Sequence, residues 1–447
     1  MTGTAISDDR SFFGHPKGLA YLAFTEMWER FSYYGMTALL TLYMAEQLLL
    51  PEHAGNVIGL AGLRDFLSFG KPMSNLAFAS IIYGWYSGLV YLTPILGGWI
   101  ADRMLGKKRT VVIGALLMSS GHLAMTFDQS FLLALALLIL GSGCLKGNIS
   151  AQVGTLYPRD AASMRDRGFA IFSTGINIGA ASGPIVTGAV YAMYGYHAGF
   201  AVAAGLMLVA LVVYLTGQKH LPETPPQQVA QIAKQPLTPI ERRQVIALIA
   251  VIVLIIPAEI CYPMVWSIGI VWAKAQVALG PVPAPWFGSV DSIGSILAAP
   301  LLLALWAAQS RKGTEPDAVG KIAIGTMLTG VSALVLAAAS ALSPAPHSAS
   351  LVLALVGFLG MGLAWMYYWP TNLALVSHTA PAKINSTMVG GAFLCPFVAH
   401  TMAGYVGSYY DQMSPAAFWT MDAAIGLVGA AILFALKKPL SRALAND

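Results

Sequence analysis

Long apolar runs separated by short polar segments follow one another along the whole chain of 447 residues. A helix that crosses a bilayer needs about 20 mostly apolar residues, and twelve runs reach or approach that length. A polar stretch at 217–242 with five prolines separates the sixth run from the seventh. We number the predicted spans 1 to 12, and they cover residues 19–47, 77–101, 110–127, 131–156, 168–194, 198–216, 243–272, 285–308, 319–342, 349–377, 384–407 and 415–436.

Composition agrees with a chain that is solvated mainly by lipid. Hydrophobic residues make up 57% of the sequence and charged residues 10%, whereas a soluble domain carries about 25% charged residues. We therefore predict an all-α membrane protein with twelve transmembrane helices. Its predicted parts are a six-helix bundle at 1–216, a linker at 217–242 and a second six-helix bundle at 243–447.

The basic residues indicate how the chain is oriented in the membrane. With the N-terminus in the cytoplasm, the cytoplasmic segments hold 20 of the 25 lysines and arginines, and the outer loops hold three. Because positive residues favour the cytoplasmic side, both termini and the linker are predicted to be cytoplasmic, in a multi-pass protein of the cytoplasmic membrane. The net charge of +5 is then explained by topology and does not indicate nucleic-acid binding.

The sequence shows no removable signal peptide and no metal motif. The first 18 residues lack an apolar core before a small-residue cleavage site, so span 1 is expected to be retained. Cys144, Cys261 and Cys395 lie in separate spans without metal-ligand spacing and are interpreted as buried small hydrophobic residues. His122 and His400 are interpreted as packing residues, with a role in proton transfer as the alternative.

Span 1 carries three ionisable side chains within its apolar run, Glu26, Glu29 and Arg30. One charge near the bilayer centre costs roughly 2.5 to 3.5 kcal/mol on insertion scales. Residues three, four and seven apart share a helix face, so these three form one polar stripe with Tyr33 and Tyr34. Such a stripe should face the bundle interior or a wet cavity. It is either an inert ion pair that locks helices together or, as two acids beside one arginine favour, a group that exchanges protons.

Spans 4 and 5 add further polar residues in apolar surroundings. Lys146 lies near the middle of span 4, where a carboxylate partner such as Glu26 or Glu29 is expected. The alternative is that its side chain extends to an interface. Asn177 in span 5 either belongs to the same site or bonds a neighbouring helix.

These residues resemble the proton-dependent oligopeptide transporters of the major facilitator superfamily. The run Glu26–Tyr34 is similar to the family signature Glu-x-x-Glu-Arg-Phe-x-Tyr-Tyr. Further similarity runs over nearly the whole chain, at residues 91–109, 141–148, 175–179, 286–289, 300 and 380–390.

The resemblance implies a fold, a mechanism and a set of site residues. The fold is that of the major facilitator superfamily, two six-helix bundles with the substrate held at their interface near the middle of the membrane and exposed to either side in turn. Many bacterial members carry two extra helices between the halves, and this linker is too short for them. The implied roles are proton coupling by Glu26, Glu29, Arg30 and Lys146, substrate binding by Tyr33, Tyr34 and Asn177, and cytoplasmic gating by Asp102 and Arg103. For Asp102 and Arg103 the alternative is charge that only sets the topology.

The C-terminal half departs from the pattern of the peptide transporters. Trp365, five residues before Pro370, occupies the place of a span 10 glutamate that faces the peptide ammonium in the family. Ile270 aligns with an acid of span 7, and Ala392 aligns with a tryptophan of span 11. Asp291 replaces an asparagine of span 8.

Two acids and an aromatic group are candidates to compensate for these departures. Asp291 or Glu259 is proposed to supply the counter-charge for a cationic substrate or for Arg30. The alternative for Glu259 is a place near the cytoplasmic face opposite loop lysines, and for Asp291 an outer interface or a helix cap. Trp365 and its aromatic neighbours in span 10 either line a pocket for an amphipathic solute or mark a membrane interface.

The sequence therefore predicts a proton-coupled symporter that imports di- or tripeptides, or similar solutes, by alternating access. The alternative is proton-coupled import or export of a non-peptide amphipathic or cationic solute. An enzyme is least favoured, because no nucleophile, metal or acid–base constellation accompanies the buried charges. The expected partners are the small-molecule substrate, protons and the lipid bilayer, with the chain acting as a monomer and the proton gradient in place of a cofactor.

Overall fold

A computed structural model describes residues 10–158, 161–223, 236–343 and 345–445. Part of the predicted linker, residues 224–235, lies outside the described residues. In the described chain, ten helices are long and apolar enough to cross a membrane. Spans 1 and 3 are also long helices, but span 1 contains the charged stripe and span 3 begins with three basic residues. Together these twelve helical segments correspond to the twelve predicted spans.

The chain forms two compact units, which we call the first and the second unit. The first unit comprises residues within 1–70 and 89–230, and the second comprises residues within 71–88 and 231–447. Span 2 is shared, because its first half belongs to the second unit. The bundle boundaries 1–216 and 243–447 stay a prediction.

Spans 1 to 6 are continuous helices joined by short segments. Two short helices, Pro51–Ala54 and Leu60–Ser68, follow span 1, and spans 1 and 2 each end in a turn of π-helix, Met44–Leu48 and Ala101–Leu105. Short 3-10 turns lie at Asp128–Ser130 and Gln218–His220. The six spans are Lys17–Tyr43, Asn75–Ile100, Lys107–Ala124, Phe131–Thr155, Ala162–Tyr194 and Tyr196–Gly217.

Spans 7 and 11 are interrupted, whereas spans 8, 9, 10 and 12 are continuous. Span 7 consists of Pro239–Leu254, Ile256–Cys261, a 3-10 turn at Tyr262–Trp266, and Ile268–Gln276. Pro257 and Pro263 lie at these breaks, because a proline has no amide hydrogen to continue the helix. Span 11 consists of Asn385–Ala392 and Leu394–Gly407, and two 3-10 turns precede spans 8 and 12 at Ala284–Trp286 and Tyr410–Gln412. The continuous spans are Phe287–Arg311, Ala318–Ala341, Leu351–Thr379 and Pro415–Leu444.

Side-chain caps define where several spans of the second unit begin. Thr238 and Glu241 form a reciprocal capping box at the start of span 7, and Glu241 also pairs with Lys383 at 2.7 Å. Asp317 caps span 9 through the amide of Gly320, and Ser350 and Ser414 similarly cap spans 10 and 12. These caps satisfy amide groups that a helix leaves without partners at its N-terminus.

Glycines allow span 1 and span 5 to approach each other closely within the first unit. A Cβ atom added to Gly179 would lie 2.2 Å from the carbonyl oxygen of Met27, and one added to Gly183 would lie 2.5 Å from that of Phe31. Small residues permit such close packing of membrane helices. Span 1 is thus held against span 5 along the stretch that carries its charges.

Candidate functional site

The three charges of span 1 form one buried cluster. Nε of Arg30 lies 3.1 Å from Oε1 of Glu26 and 2.5 Å from Oε2 of Glu29. The exposed fractions are 3% for Glu26, 0% for Glu29 and 6% for Arg30. One helical turn brings Glu26 and Arg30 together, as expected for residues four apart. We call these three residues the span 1 triad.

Hydrogen bonding within the triad is incomplete. Oε2 of Glu26, both carboxylate oxygens of Glu29 and Nε of Arg30 are buried and have no aligned hydrogen-bond partner among the described residues. The 2.5 Å contact between Arg30 and Glu29 therefore brings opposite charges together without an aligned hydrogen bond. Buried charge without full hydrogen bonding is costly. An ion pair that only holds helices together would be expected to have complete hydrogen bonding. The incomplete hydrogen bonding here favours the alternative interpretation, a site that exchanges a proton.

Lys146 lies beside the triad but binds aromatic rings. Its Nζ is 4.6 Å from the ring centroid of Tyr33 and 5.5 Å from that of Tyr91, and Cζ of Arg30 lies 5.5 Å from the Tyr33 ring. Tyr33 therefore contacts both cations through the face of its ring. The expected ion pair of Lys146 with Glu26 or Glu29 is not formed among the described residues. Arg30 already engages both carboxylates, which gives a physical reason for the difference.

The other predicted residues of the first unit lie at different distances from this cluster. Tyr34 is partly buried and meets Tyr33 edge-on, with ring centroids 5.2 Å apart. Asn177 is exposed on span 5. Its neighbours Gly175 and Gly179 approach the backbone of span 1, so Asn177 points away from that helix. No described contact joins Asn177 to the triad.

Asp102 and Arg103 are exposed in the π-helical end of span 2. Cζ of Arg103 lies 6.0 Å from the ring centroid of Trp99. In the described part of the chain neither charge forms an ion pair within 4.0 Å, so their gating role stays a prediction.

A second buried cluster surrounds Asp291 in the second unit. Tyr262 donates its hydroxyl hydrogen to Oδ2 of Asp291 at 2.9 Å, and Trp266 donates its indole hydrogen to the same oxygen at 3.1 Å. Trp365 stacks on Tyr262 with centroids 6.2 Å apart and planes 25° apart. Asp291 is 1% exposed, and its Oδ1 has no hydrogen-bond partner among the described residues. We call these four residues the Asp291 cluster.

The Asp291 cluster decides between the alternatives that the sequence left open for its members. Asp291 is not a helix cap, because it lies within Phe287–Arg311 and is bonded to two residues of span 7. Trp365 is partly buried against Tyr262, and Tyr367, Tyr368 and Trp369 are at most 7% exposed. These aromatic residues therefore pack inside the protein and do not form a lipid-facing belt.

A family model described as the POT family matches residues 108–238 and 228–421. The chain belongs to the POT family. It is 28% identical to a di-/tripeptide transporter of Lactococcus lactis, over 98% of each chain, and 28% identical to the peptide transporter YePEPT of Yersinia enterocolitica, over 100% of this chain and 98% of the other. A crystal structure of a mutant POT peptide transporter in complex with alafosfalin superposes with a TM-score of 0.86 at 27% identity, over 98% of each chain.

Membership of the POT family confirms the predicted fold class and the general function. The chain is a multi-pass membrane protein with the major facilitator fold, and it is a transporter rather than an enzyme. The twelve helical segments agree with that fold. The buried triad thus lies in a POT transporter, where buried ionisable residues mark transport pathways.

Glu259 is buried and lies close to a histidine of span 11. It is 2% exposed, and its Oε2 lies 3.5 Å from Nε2 of His400. Among the described residues Glu259 thus contacts a histidine of span 11 and forms no ion pair with a loop lysine, and its part in substrate binding stays a prediction. No described side-chain hydrogen bond or ion pair joins it to Asp291.

Sequence reasoning missed several residues of these clusters. Tyr262 and Trp266 hold Asp291, yet only the prolines at 257 and 263 marked the region as irregular. Asp422 is another fully buried acid, in span 12, whose backbone oxygen accepts a hydrogen bond from Sγ of Cys261 at 3.2 Å. Its position in an apolar run was the available signal. Among the described residues, no group of three or more histidines, cysteines or acids is placed to hold a metal ion.

Proposed function

We propose that this POT family member is a symporter that imports di- and tripeptides together with protons by alternating access. The observation that supports the proposal most strongly is the span 1 triad, two fully buried acids that share one arginine without complete hydrogen bonding. The printed names of two full-length relatives, a di-/tripeptide transporter and a peptide transporter, support the substrate class.

Charge balance provides a physical route to coupling. Glu26 and Glu29 together offset Arg30 and Lys146, so the ionised group carries no net charge. A proton on one glutamate leaves an excess positive charge in buried surroundings, which is unfavourable. A substrate carboxylate restores neutrality and pairs with the guanidinium that the protonated acid has released. Proton binding and peptide binding therefore stabilise each other.

The Asp291 cluster offers chemistry that suits a substrate ammonium group. Its buried carboxylate has one oxygen, Oδ1, available to accept from an ammonium group. The stacked rings of Tyr262 and Trp365 present aromatic faces, which also attract cations. We assign the substrate ammonium to Asp291. We infer that Trp365, which replaces the glutamate of other members, restricts the space around the ammonium.

The remaining predicted residues keep their proposed roles. Tyr33 and Tyr34 are proposed to contact the substrate beside the triad, and Asn177 is proposed to bind it as well. Asp102 and Arg103 are proposed to act in gating. The distribution of basic residues supports cytoplasmic termini and a place in the cytoplasmic membrane. We propose that the chain works as a monomer, because one chain contains both clusters.

A non-peptide cationic or amphipathic solute is the second candidate. The observation that favours it is the aromatic stack of Trp365 on Tyr262 next to a buried carboxylate, at the place where other members carry an acid. This environment suits a hydrophobic cation as well as a peptide ammonium.

Counterflow in proteoliposomes distinguishes the two candidates. Vesicles loaded with unlabelled dialanine are diluted into labelled dialanine, and competitors are added outside: trialanine, tetraalanine, alanine and tetraphenylphosphonium. We expect rapid uptake of the label that trialanine inhibits. Inhibition by tetraphenylphosphonium alone, or no counterflow of any peptide, would reject the peptide proposal.

A further inference from the structure

Glu259 and His400 form a buried acid–histidine pair that the span 1 triad does not include. Glu259 lies on the six-residue segment Ile256–Cys261 of span 7, and His400 lies on the segment Leu394–Gly407 of span 11. The side chains are 3% and 6% exposed, with 3.5 Å between Oε2 and Nε2. Oε1 of Glu259 is buried and has no hydrogen-bond partner among the described residues.

We propose that Glu259 and His400 form a second proton-binding site of this transporter. The proton is released and bound again during the transport cycle. The ligand is the proton alone, and it moves between Nε2 of His400, Oε2 of Glu259 and water. No other bond forms or breaks. The proposal that this proton is coupled to peptide movement rests on the proposed function.

The charge of the pair explains why it would hold one proton while buried. Burying a net charge is costly, and with one proton the pair is neutral overall, whether the proton lies on the acid or makes the histidine cationic. In water, free histidine titrates at about pH 6.5 and free glutamate at about pH 4.3. Contact with water therefore provides a route by which the pair exchanges its proton.

The neighbouring elements supply other acids and thiols but no competing base close by in sequence. His400 is the one basic side chain in the two segments that form the pair. The titratable groups nearest to the pair in sequence, or in the apolar parts of the packed spans, are Cys261, Tyr262, Cys395, Asp422, Tyr405, Tyr83 and Tyr86. The other charged residues of the packed elements lie toward the ends of spans 7, 9 and 12, at Glu241, Arg242, Arg243, Lys321, Lys437, Lys438 and Arg442. Glu259 consequently depends on His400 for neutralisation.

The breaks in span 7 connect this pair with the Asp291 cluster. The segment that carries Glu259 ends at Cys261, and the next residue, Tyr262, donates to Asp291. Helical hydrogen bonding is interrupted on both sides of the segment, because of Pro257 and Pro263. A shift of this short segment would change the contacts of Asp291 and Glu259 together, which gives a physical link between substrate binding and proton release.

Infrared titration tests the proton site without any substrate. The carbonyl stretch of protonated carboxyl groups and the ring vibrations of histidine are both recorded on purified protein between pH values of about 5 and 8, the range in which histidine titrates. We expect a pH-dependent band in the wild type that is absent in Glu259→Gln. In His400→Gln the band should persist without titrating, because the isolated buried acid keeps its proton, and the double variant should lack it. Identical titrations of wild type and Glu259→Gln would overturn the proposal.

The proton-to-peptide ratio tests the coupling role. It is obtained from the peptide gradient that exactly balances a set proton gradient in proteoliposomes. We expect Glu259→Gln, His400→Gln and the double variant to lower the ratio by the same single proton, since the two residues act as one unit. His122→Gln is the matched control, because His122 is equally buried and forms no ion pair among the described residues.

The outcomes separate this inference from the proposed function. An unchanged ratio in variants that still exchange peptide shows that the pair only packs spans 7 and 11, and it overturns the coupling role. If the wild type exchanges no peptide, the proposed function fails, and the infrared titration alone decides whether the pair binds a titrating proton.

Discussion

At the residue scale, the central feature is a group of four charges in the first unit that sum to zero. Arg30 contacts both glutamates of the triad, while Lys146 rests on the ring of Tyr33. Lys146 is therefore available to respond to a change of charge, since no ion pair to a carboxylate holds it among the described residues. Removing one member should unbalance the group.

Neutralising one acid should separate coupling from transport. Glu29→Gln fixes the group in the charge state that a proton on one glutamate would give, so we expect accumulation driven by a proton gradient to disappear while counterflow continues. Lys146→Ala should have the same effect, because the remaining charges then favour a protonated glutamate at all times. The measurement compares both activities in proteoliposomes, with Glu52→Gln, an exposed loop acid, as the control. Normal accumulation in both variants would refute the coupling role of the triad.

Asp291 should decide how the transporter recognises the substrate ammonium. Asp291→Asn keeps the shape but removes the charge, and hydrogen bonds to charged groups contribute about 1.5 to 3 kcal/mol. We therefore expect dialanine to bind roughly 10-fold to 100-fold more weakly. N-acetylated dialanine lacks the ammonium and should lose little affinity. Equal losses for both peptides in a counterflow competition assay would contradict this assignment.

At the element scale, glycines determine how closely the spans of the first unit pack. Gly97 and Gly98 are adjacent in span 2, yet their surroundings differ. A Cβ atom on Gly97 would lie 2.0 Å from the carbonyl oxygen of Gly143 in span 4, whereas one on Gly98 would meet no atom within 4 Å. The two positions therefore form a matched pair for testing this contact.

Alanine at these two glycines should have opposite effects on stability. Gly97→Ala forces spans 2 and 4 apart, and overpacking of this kind typically costs about 1 to 3 kcal/mol. Gly98→Ala should be neutral or stabilising by up to about 1 kcal/mol, because alanine favours the helix over glycine. Thermal unfolding of both purified variants in detergent measures the difference. A Gly97→Ala variant as stable as the wild type would show that the two helices can separate without cost.

The elements themselves could be predicted from apolar length, but their contacts could not. Span 4 was predicted at 131–156 and is found at Phe131–Thr155, because the end of the apolar run coincides with the end of the helix. The pairing of Glu259 with His400 depends on how spans 7 and 11 are rotated and displaced relative to each other. That register follows from packing of whole helices, and no single-span pattern records it. The contact of Lys146 with the ring of Tyr33 could not be predicted for the same reason.

At the scale of the whole molecule, the distribution of basic residues determines the proposed topology. Twenty of the 25 basic residues fall on the side assigned to the cytoplasm. In the proposed topology, few basic residues lie on the outer side, from which the coupled protons are proposed to enter. This orientation is independent of the site residues and can be tested separately.

Cysteine labelling in intact cells should report the topology directly. Glu52→Cys lies in the predicted outer loop after span 1, and Thr314→Cys lies in the predicted cytoplasmic loop after span 8, and both positions are exposed. In a Cys144→Ala background, a membrane-impermeant maleimide should label the first variant in intact cells and the second only after lysis. The reverse pattern would place the termini outside and contradict the proposed topology.

The account depends most on proton-driven peptide accumulation. One proton that enters down a potential of about 100 mV provides about 2.3 kcal/mol, enough for roughly 50-fold accumulation of a solute. In proteoliposomes with an alkaline, negative interior, we predict that labelled dialanine accumulates well above the outside concentration. A protonophore together with a potassium ionophore at equal potassium concentrations should return it to equilibrium. Equilibration of dialanine at the outside concentration despite the gradient, or accumulation that survives both ionophores, would contradict the account.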